Sequence, residues 1–225
     1  MNNPWLDLPQ KAPFIALCDL EILDDQEYKL DGLRFDAFPE PYGGNIDTAS
    51  VFCLLLNPGF EEADITANFA NPYWVHEVRA NIEHKSEFPF LYLSPELRGT
   101  GGYKWWTTKL GPLLKADVTT GQLARGIMMV QFMPYHSVTY VHNRLYLPTQ
   151  LYQFQIVRNA MKLHKTIIIM RAKNKWFEAI PELINYPYLE LSNPRNVSIS
   201  RANLDNKNGI GTFDKVVAIL KEKPQ

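Results

Sequence analysis

The chain has 225 residues, 46% of them hydrophobic and 21% charged, with 23 Lys/Arg against 24 Asp/Glu and a net charge of -1. That is the composition of a globular protein with a sizeable core, long for one domain and short for two, so a single domain over residues 1–225 is expected. No apolar run approaches the roughly 18 residues of a membrane span. The opening MNNPWLDLPQ lacks the basic and apolar parts of a secretory signal, so a cytoplasmic location is expected.

Two cysteines, Cys18 and Cys53, lie far apart and fit no metal spacing. No cofactor, metal or iron–sulfur cluster is expected. The small net charge conceals an asymmetry. Residues 1–64 hold thirteen acidic and three basic side chains, a net of -10, which leaves +9 on the remainder. A basic C-terminal two-thirds fits either a phosphate-facing surface or a solvated mixed one.

In chain order, the first 45 residues read as irregular, closing on the turn-rich PEPYGG of Pro39 to Gly44. Val51 to Leu56 is a continuous apolar run stopped by Asn57-Pro58, which predicts a strand buried on both faces. A helix is expected over 73–85. Another follows Thr100-Gly-Gly, where Trp105, Trp106, Leu110, Leu113 and Leu114 fall near helical spacing and Pro112 limits its run.

Ile127 to Phe132 predicts a second buried strand, stopped at Met133-Pro134. Gln150 to Leu163 carries an amphipathic helical pattern. Thr166 to Met170 predicts a third strand, Lys175 to Ile184 a helix, Tyr188 to Leu191 a short fourth strand, and Phe213 to Lys221 a closing helix. Strands alternating with helices predict an α/β fold, a three-layer α/β/α sandwich around a central, mostly parallel four-stranded sheet. Functional sites in such sheets form beyond the carboxyl ends of the strands, where three of the four runs end in polar or turn-forming residues.

The order of these strand ends resembles the uracil-DNA glycosylase superfamily, closest to its single-strand-selective and mismatch-specific members. Leu55-Leu-Asn-Pro-Gly59 stands where that family has Gly-(Met/Ile)-Asn-Pro-Gly, and Asn193-Pro-Arg-Asn-Val-Ser198 where it has its second motif. MMVQFMPYHS, Met128 to Ser137, resembles the middle strand and its proline turn. Met170-Arg171 resembles the family's Gly-Arg before a helix. The resemblance spans roughly residues 39–221 and implies a glycosylase-like core over 46–225.

It also implies a chemistry: hydrolysis of an N-glycosidic bond to uracil or a related damaged base flipped out of DNA. Such a site needs a positioned water, charge stabilisation on the departing base and a tight pocket. By this resemblance Asn57 holds the water, although an amide cannot act as a general base. Pro58, Gly59, Phe60, Gln131 and Phe132 line the base pocket, Gln131 pairing with the base edge through its carboxamide. Strand alternation lets only one of Gln131 and Phe132 face that pocket.

Asn193 takes the place of the family histidine in one alignment. In the other, Leu191 stands there and the donor is missing. Arg195, Asn196, Val197 and Ser198 form the wedge loop in the DNA, and Arg195 and Arg201 hold phosphates. His136 either replaces the missing imidazole in space or serves as a structural hydrogen-bonder. Glu61, Glu62 and Asp64, just past Asn57, are either a replacement base or a solvated helix start.

Each residue also has a plainer reading: a turn cap for Asn57, a loop contact for Gln131, exposed arginines in a strand-to-helix loop. Leu55 in place of the motif's first glycine and the absent histidine favour a catalytically silent module that binds nucleic acid, a nucleobase or a nucleotide. A protein-interaction domain using the acidic N-terminal segment is a third reading. The expected partner is DNA, single- or double-stranded, or a free base or nucleotide, and the expected state is a monomer.

Overall fold

Val51–Leu55 carries no charged or amide side chain, and a strand of that kind is stable only with both faces covered. It is the middle strand of a five-stranded sheet in the structure, a computed structural model that describes residues 2–24, 30, 32–62, 71–86, 88–140 and 145–222. In chain order the strands are β1 (Leu33–Arg34), β2 (Tyr42–Gly43), β3 (Val51–Leu55), β4 (Ile127–Gln131), β5 (His136–Ser137), β6 (Thr166–Ile169) and β7 (Leu189–Glu190). The sheet order is β2-β4-β3-β6-β7. Cys53 lies opposite Met129 on one side and Ile168 on the other, both in parallel register. β7 continues the parallel set beside β6.

The four strands expected from the sequence are present, but the four-stranded sheet is corrected to a mixed five-stranded one. The added strand, β2, is antiparallel to β4 and lies inside the PEPYGG segment read as a turn. Two residues are too few to show an alternation, so only pairing reveals the strand. Gly44, at φ 121°, follows it, and a Cβ there would meet Ile127 O at 2.5 Å, so glycine permits the close approach. β1 and β5 form a separate antiparallel pair.

The helices are α1 (Leu20–Leu23), α2 (Pro72–Ile82), α3 (Gly101–Leu114), α4 (Thr120–Gly126), α5 (Gln150–Lys162), α6 (Lys173–Ala179), α7 (Arg201–Asn208) and α8 (Thr212–Lys221). Strand alternation sends Phe52, Leu54, Met128, Val130, Ile167 and Ile169 into one core, which α2, α5 and α6 cover with Trp74, Val78, Phe154, Val157 and Trp176. Val51, Cys53, Leu55, Met129 and Ile168 face the other, closed by α3, α4, α7 and α8 through Trp106, Leu110, Leu123, Leu204 and Phe213. Helices therefore cover both faces of the sheet. No helix among the described residues is long and apolar enough to cross a membrane.

The described residues of 1–45 carry short elements within the segment expected to be irregular. They hold two short 3-10 turns, α1, β1 and β2, and place Trp5, Leu8, Ala16, Leu23, Leu33 and Phe38 in the first core. Asp19, fully buried, ties this segment down. It accepts from Thr149 N at 3.0 Å, Thr149 Oγ1 at 2.7 Å and Tyr135 Oη at 2.8 Å. Burial pushes its carboxyl above the usual value, while these donors act in the opposite direction.

Candidate functional site

A cleft of about 610 Å³ opens at the carboxyl ends of β3, β4 and β6. Its position follows from the chain path. From β3 the chain crosses to β4 on one side and later to β6 on the other, and loops leaving the strands on opposite sides part above the sheet. One wall is Leu55 to Glu61, leaving β3. Gln131 ends β4, His136, Ser137 and Tyr140 follow it, and Arg171 follows β6. The N-terminal turn of α3 supplies Gly101, Gly102, Trp105 and Trp106, with Tyr92 beside them.

The Asn57-Pro58-Gly59 turn is stapled to the β5 segment. Asn57 Nδ2 donates to Pro58 O and to Ser137 Oγ, each at 2.8 Å. Ser137 N donates to Pro58 O at 3.2 Å, and Gly59 bridges Ser137. Because Nδ2 meets a carbonyl, the amide orientation is set, and Oδ1 takes no hydrogen bond from the described residues. Gly59 has open space where a Cβ would stand. Phe60 lies between Arg34, 4.0 Å above its ring, and the edge of His136.

His136 is held at both ring nitrogens. Nδ1 lies 2.7 Å from Gly59 O, and Nε2 lies 3.0 Å from Phe38 O and 3.3 Å from a Glu40 carboxylate oxygen. All three are acceptors, so the surroundings favour the doubly protonated ring. Burial by itself lowers the imidazole pKa, but the Glu40 charge and the hydrogen bonds to Glu40, Gly59 O and Phe38 O outweigh it and raise the value. His136 is thus a clasp between the β3 turn and the N-terminal segment. Neither nitrogen is free to donate to a leaving base.

Gln131 is poorly matched among the described residues. It is 5% exposed and lines the cleft, yet its Oε1 has no partner and its Nε2 reaches only Met129 Sδ at 3.7 Å. A buried carboxamide in that state carries a desolvation cost of about 1–3 kcal/mol that a matching group relieves. The alternation at the end of β4 resolves in its favour. Phe132, expected in the pocket, points into the opposite core against Trp176, Phe154 and Tyr146 and does not line the cleft.

The second expected motif does not reach the cleft. Asn193 Oδ1 accepts from Arg195 N at 3.0 Å and Asn196 N at 3.1 Å, closing an Asx turn. Val197, expected as a wedge, is fully buried in the second core. Asn203 Nδ2 donates to the carbonyls of Asn196 and Ser198, and Lys109 Nζ donates to Asn196 Oδ1. Arg201, expected at a phosphate, makes two 2.6 Å bonds to Asp214. Arg195 stays exposed. Glu61 lines the cleft and Glu62 pairs with Arg34, while Asp64 lies outside the described residues.

Sequence reasoning missed Glu40, Tyr92, Tyr140 and Arg171 as lining residues. Glu40 sits in the segment read as a turn, and no local pattern announces it. It arrives because β2 pairs with β4, where Glu40 N donates to Pro134 O and Gln131 N donates to Pro41 O. The charges lining the cleft are Glu40, Glu61, His136 and Arg171, a mixed set rather than a cationic groove. The N-terminus of α3 adds partial positive charge. Burial, with the neighbouring Tyr146, pushes the Tyr140 hydroxyl up to about 12. Among the described residues no group of three or more His, Cys, Asp or Glu is placed to hold a metal ion.

Comparison with known proteins returns no match to a family model, a curated protein or a solved structure.

Proposed function

We propose that the cleft binds a nucleobase edge-on, on a fold of the uracil-DNA glycosylase type. The observation that carries this reading is Gln131, a buried carboxamide in the lining of a cleft large enough for a base, whose Oε1 has no partner among the described residues and whose Nε2 reaches only a methionine sulfur. A carboxamide complements a lactam edge, an N–H beside a C=O, with two parallel hydrogen bonds. Uracil, hypoxanthine, guanine and isocytosine all present that edge. Trp105, Tyr92 and Phe60 offer ring faces and edges for the plane of the base. The mixed charge of the cleft favours a single base or nucleotide over a long phosphate track.

Isothermal titration with uracil, inosine, guanosine and isocytosine tests the reading. Binding of at least one, weakened at least about tenfold by Gln131→Leu, is expected from the loss of two buried hydrogen bonds. Failure of every compound to bind at millimolar concentration, or full affinity in a folded Gln131→Leu variant, refutes it.

A second reading adds catalysis: hydrolysis of the N-glycosidic bond of a base in DNA. The observation in its favour is Asn57 Oδ1, an acceptor at the strand end that nothing among the described residues occupies and that suits a water. Oligonucleotides carrying uracil, mismatched thymine or hypoxanthine, treated with protein and then alkali, report any excision. Strand breaks that persist in Asn57→Ala would remove Asn57 from the reaction.

A further inference from the structure

A second buried polar group lines the cleft with Gln131. Glu40 is 8% exposed, lines the cleft, and spends one carboxylate oxygen on His136 Nε2 at 3.3 Å. Its other oxygen takes no hydrogen bond from the described residues. The backbone bonds Glu40 N to Pro134 O and Gln131 N to Pro41 O bring these two residues together at the joined ends of β2 and β4. A carboxamide and a carboxylate therefore line the same cleft, the carboxylate backed by the His136 imidazole.

This pairing discriminates among lactam-bearing bases. Uracil offers C=O, N–H and C=O along its edge, so a carboxylate beside its outer carbonyl sets acceptor against acceptor. A 2-amino-4-oxo edge, as in guanine or isocytosine, offers C=O, N–H and NH₂. Once a rotation of the Gln131 side chain turns its buried Oε1 to the cleft, Nε2 donates to the carbonyl, Oε1 accepts from the ring N–H, and the free oxygen of Glu40 accepts from the amine. Each group on the protein then has a partner of the opposite kind. We propose that Glu40 is a specificity-determining residue that selects 2-amino-4-oxo heterocycles over uracil. This rests on the base-binding reading above and names the class of base.

Isocytosine and uracil make a matched pair, because in the relevant tautomer they differ along this edge only in the amine replacing one oxo group. Titration of the wild-type protein is expected to give isocytosine affinity at least about tenfold above that for uracil, the scale of one hydrogen bond to a charged group. Glu40→Gln and Glu40→Asp, each checked by circular dichroism and thermal melting, are expected to narrow the ratio, the first by removing the charge and the second by withdrawing it. Equal affinities, or tighter uracil, in the wild type overturn the inference while leaving base binding in place. An unchanged ratio in either folded variant removes Glu40 as its cause. Binding of neither compound, nor of guanosine or inosine, sinks the base-binding reading itself, and the role of Glu40 with it.

Discussion

His136 is buried with acceptors on both ring nitrogens, and its pKa in the folded protein is raised above the ordinary 6.5. The folded state binds this proton more tightly than the unfolded chain does. Its stabilising effect is therefore complete below about pH 6.5 and fades as pH rises through the raised folded value. Thermal melting of the wild type is expected to show a midpoint that falls across that window. His136→Gln should melt lower at pH 6 and lose most of the slope. Parallel pH profiles for the two proteins would show that the proton does not stabilise the clasp. Gly102 packs its bare backbone against the Tyr92 ring. A Cβ there would sit 2.4 Å and 2.5 Å from two Tyr92 ring atoms, so the bare backbone of α3 is what lets Tyr92 stand as a cleft wall. Gly102→Ala is expected to cost about 1–3 kcal/mol in denaturant unfolding, as overpacking does, despite alanine's better helix propensity. A gain in stability would mean the Tyr92 ring has room to move away.

Among the elements, β7 is held at its outer side by one side chain. It is two residues long and lies at the edge of the sheet. Asn208, at the end of α7, imitates a neighbouring strand: Glu190 N donates to its Oδ1 at 2.9 Å, and its Nδ2 donates to Glu190 O at 2.8 Å. The open edge is thereby occupied by an amide of the protein's own. Asn208→Ala is expected to cost about 1–3 kcal/mol in a urea titration, from loss of these bonds and the exposure of edge groups. A change under ~0.3 kcal/mol would show that water replaces the amide without loss. Other element boundaries follow local chemistry. Pro181 ends the helix expected over 175–184, leaving α6 followed by a 3-10 turn over Pro181–Asn185. Thr119 opens α4 with a capping box that the sequence reading passed over, although Thr and Gln stand at the required spacing.

For the whole molecule, the question is whether residues 46–225 form a core that stands without the segment before it. Trp5, Ala16, Phe38 and Tyr135 pack in the same core as β3, β4 and β6, and Asp19 binds both Tyr135 and Thr149. Removing residues 1–24 would strip that core of large side chains and leave the Tyr135 hydroxyl and the Thr149 donors buried without their acceptor. The truncated chain is expected to lose cooperative unfolding or to melt far below the full chain by calorimetry. A truncation that melts with an unchanged midpoint would make the N-terminal segment an appendage after all.

The central strands were legible in the amino-acid order because burial on both faces leaves its own local record. Val51–Leu55 is apolar from end to end, Ile127–Gln131 up to its last residue and Thr166–Ile169 after its first, and turn-forming residues stop the first two. The turn at Asn57-Pro58-Gly59 and its place beside a cleft were legible for the same reason. Tertiary structure alone decided which polar groups meet there. It turned Gln131 rather than Phe132 to the cleft, closed both nitrogens of His136, buried Val197, and brought in Glu40 from a two-residue edge pairing. Periodicity records how much of a segment is buried, whereas the direction of each side chain and the partner it finds depend on pairings between residues far apart in the chain.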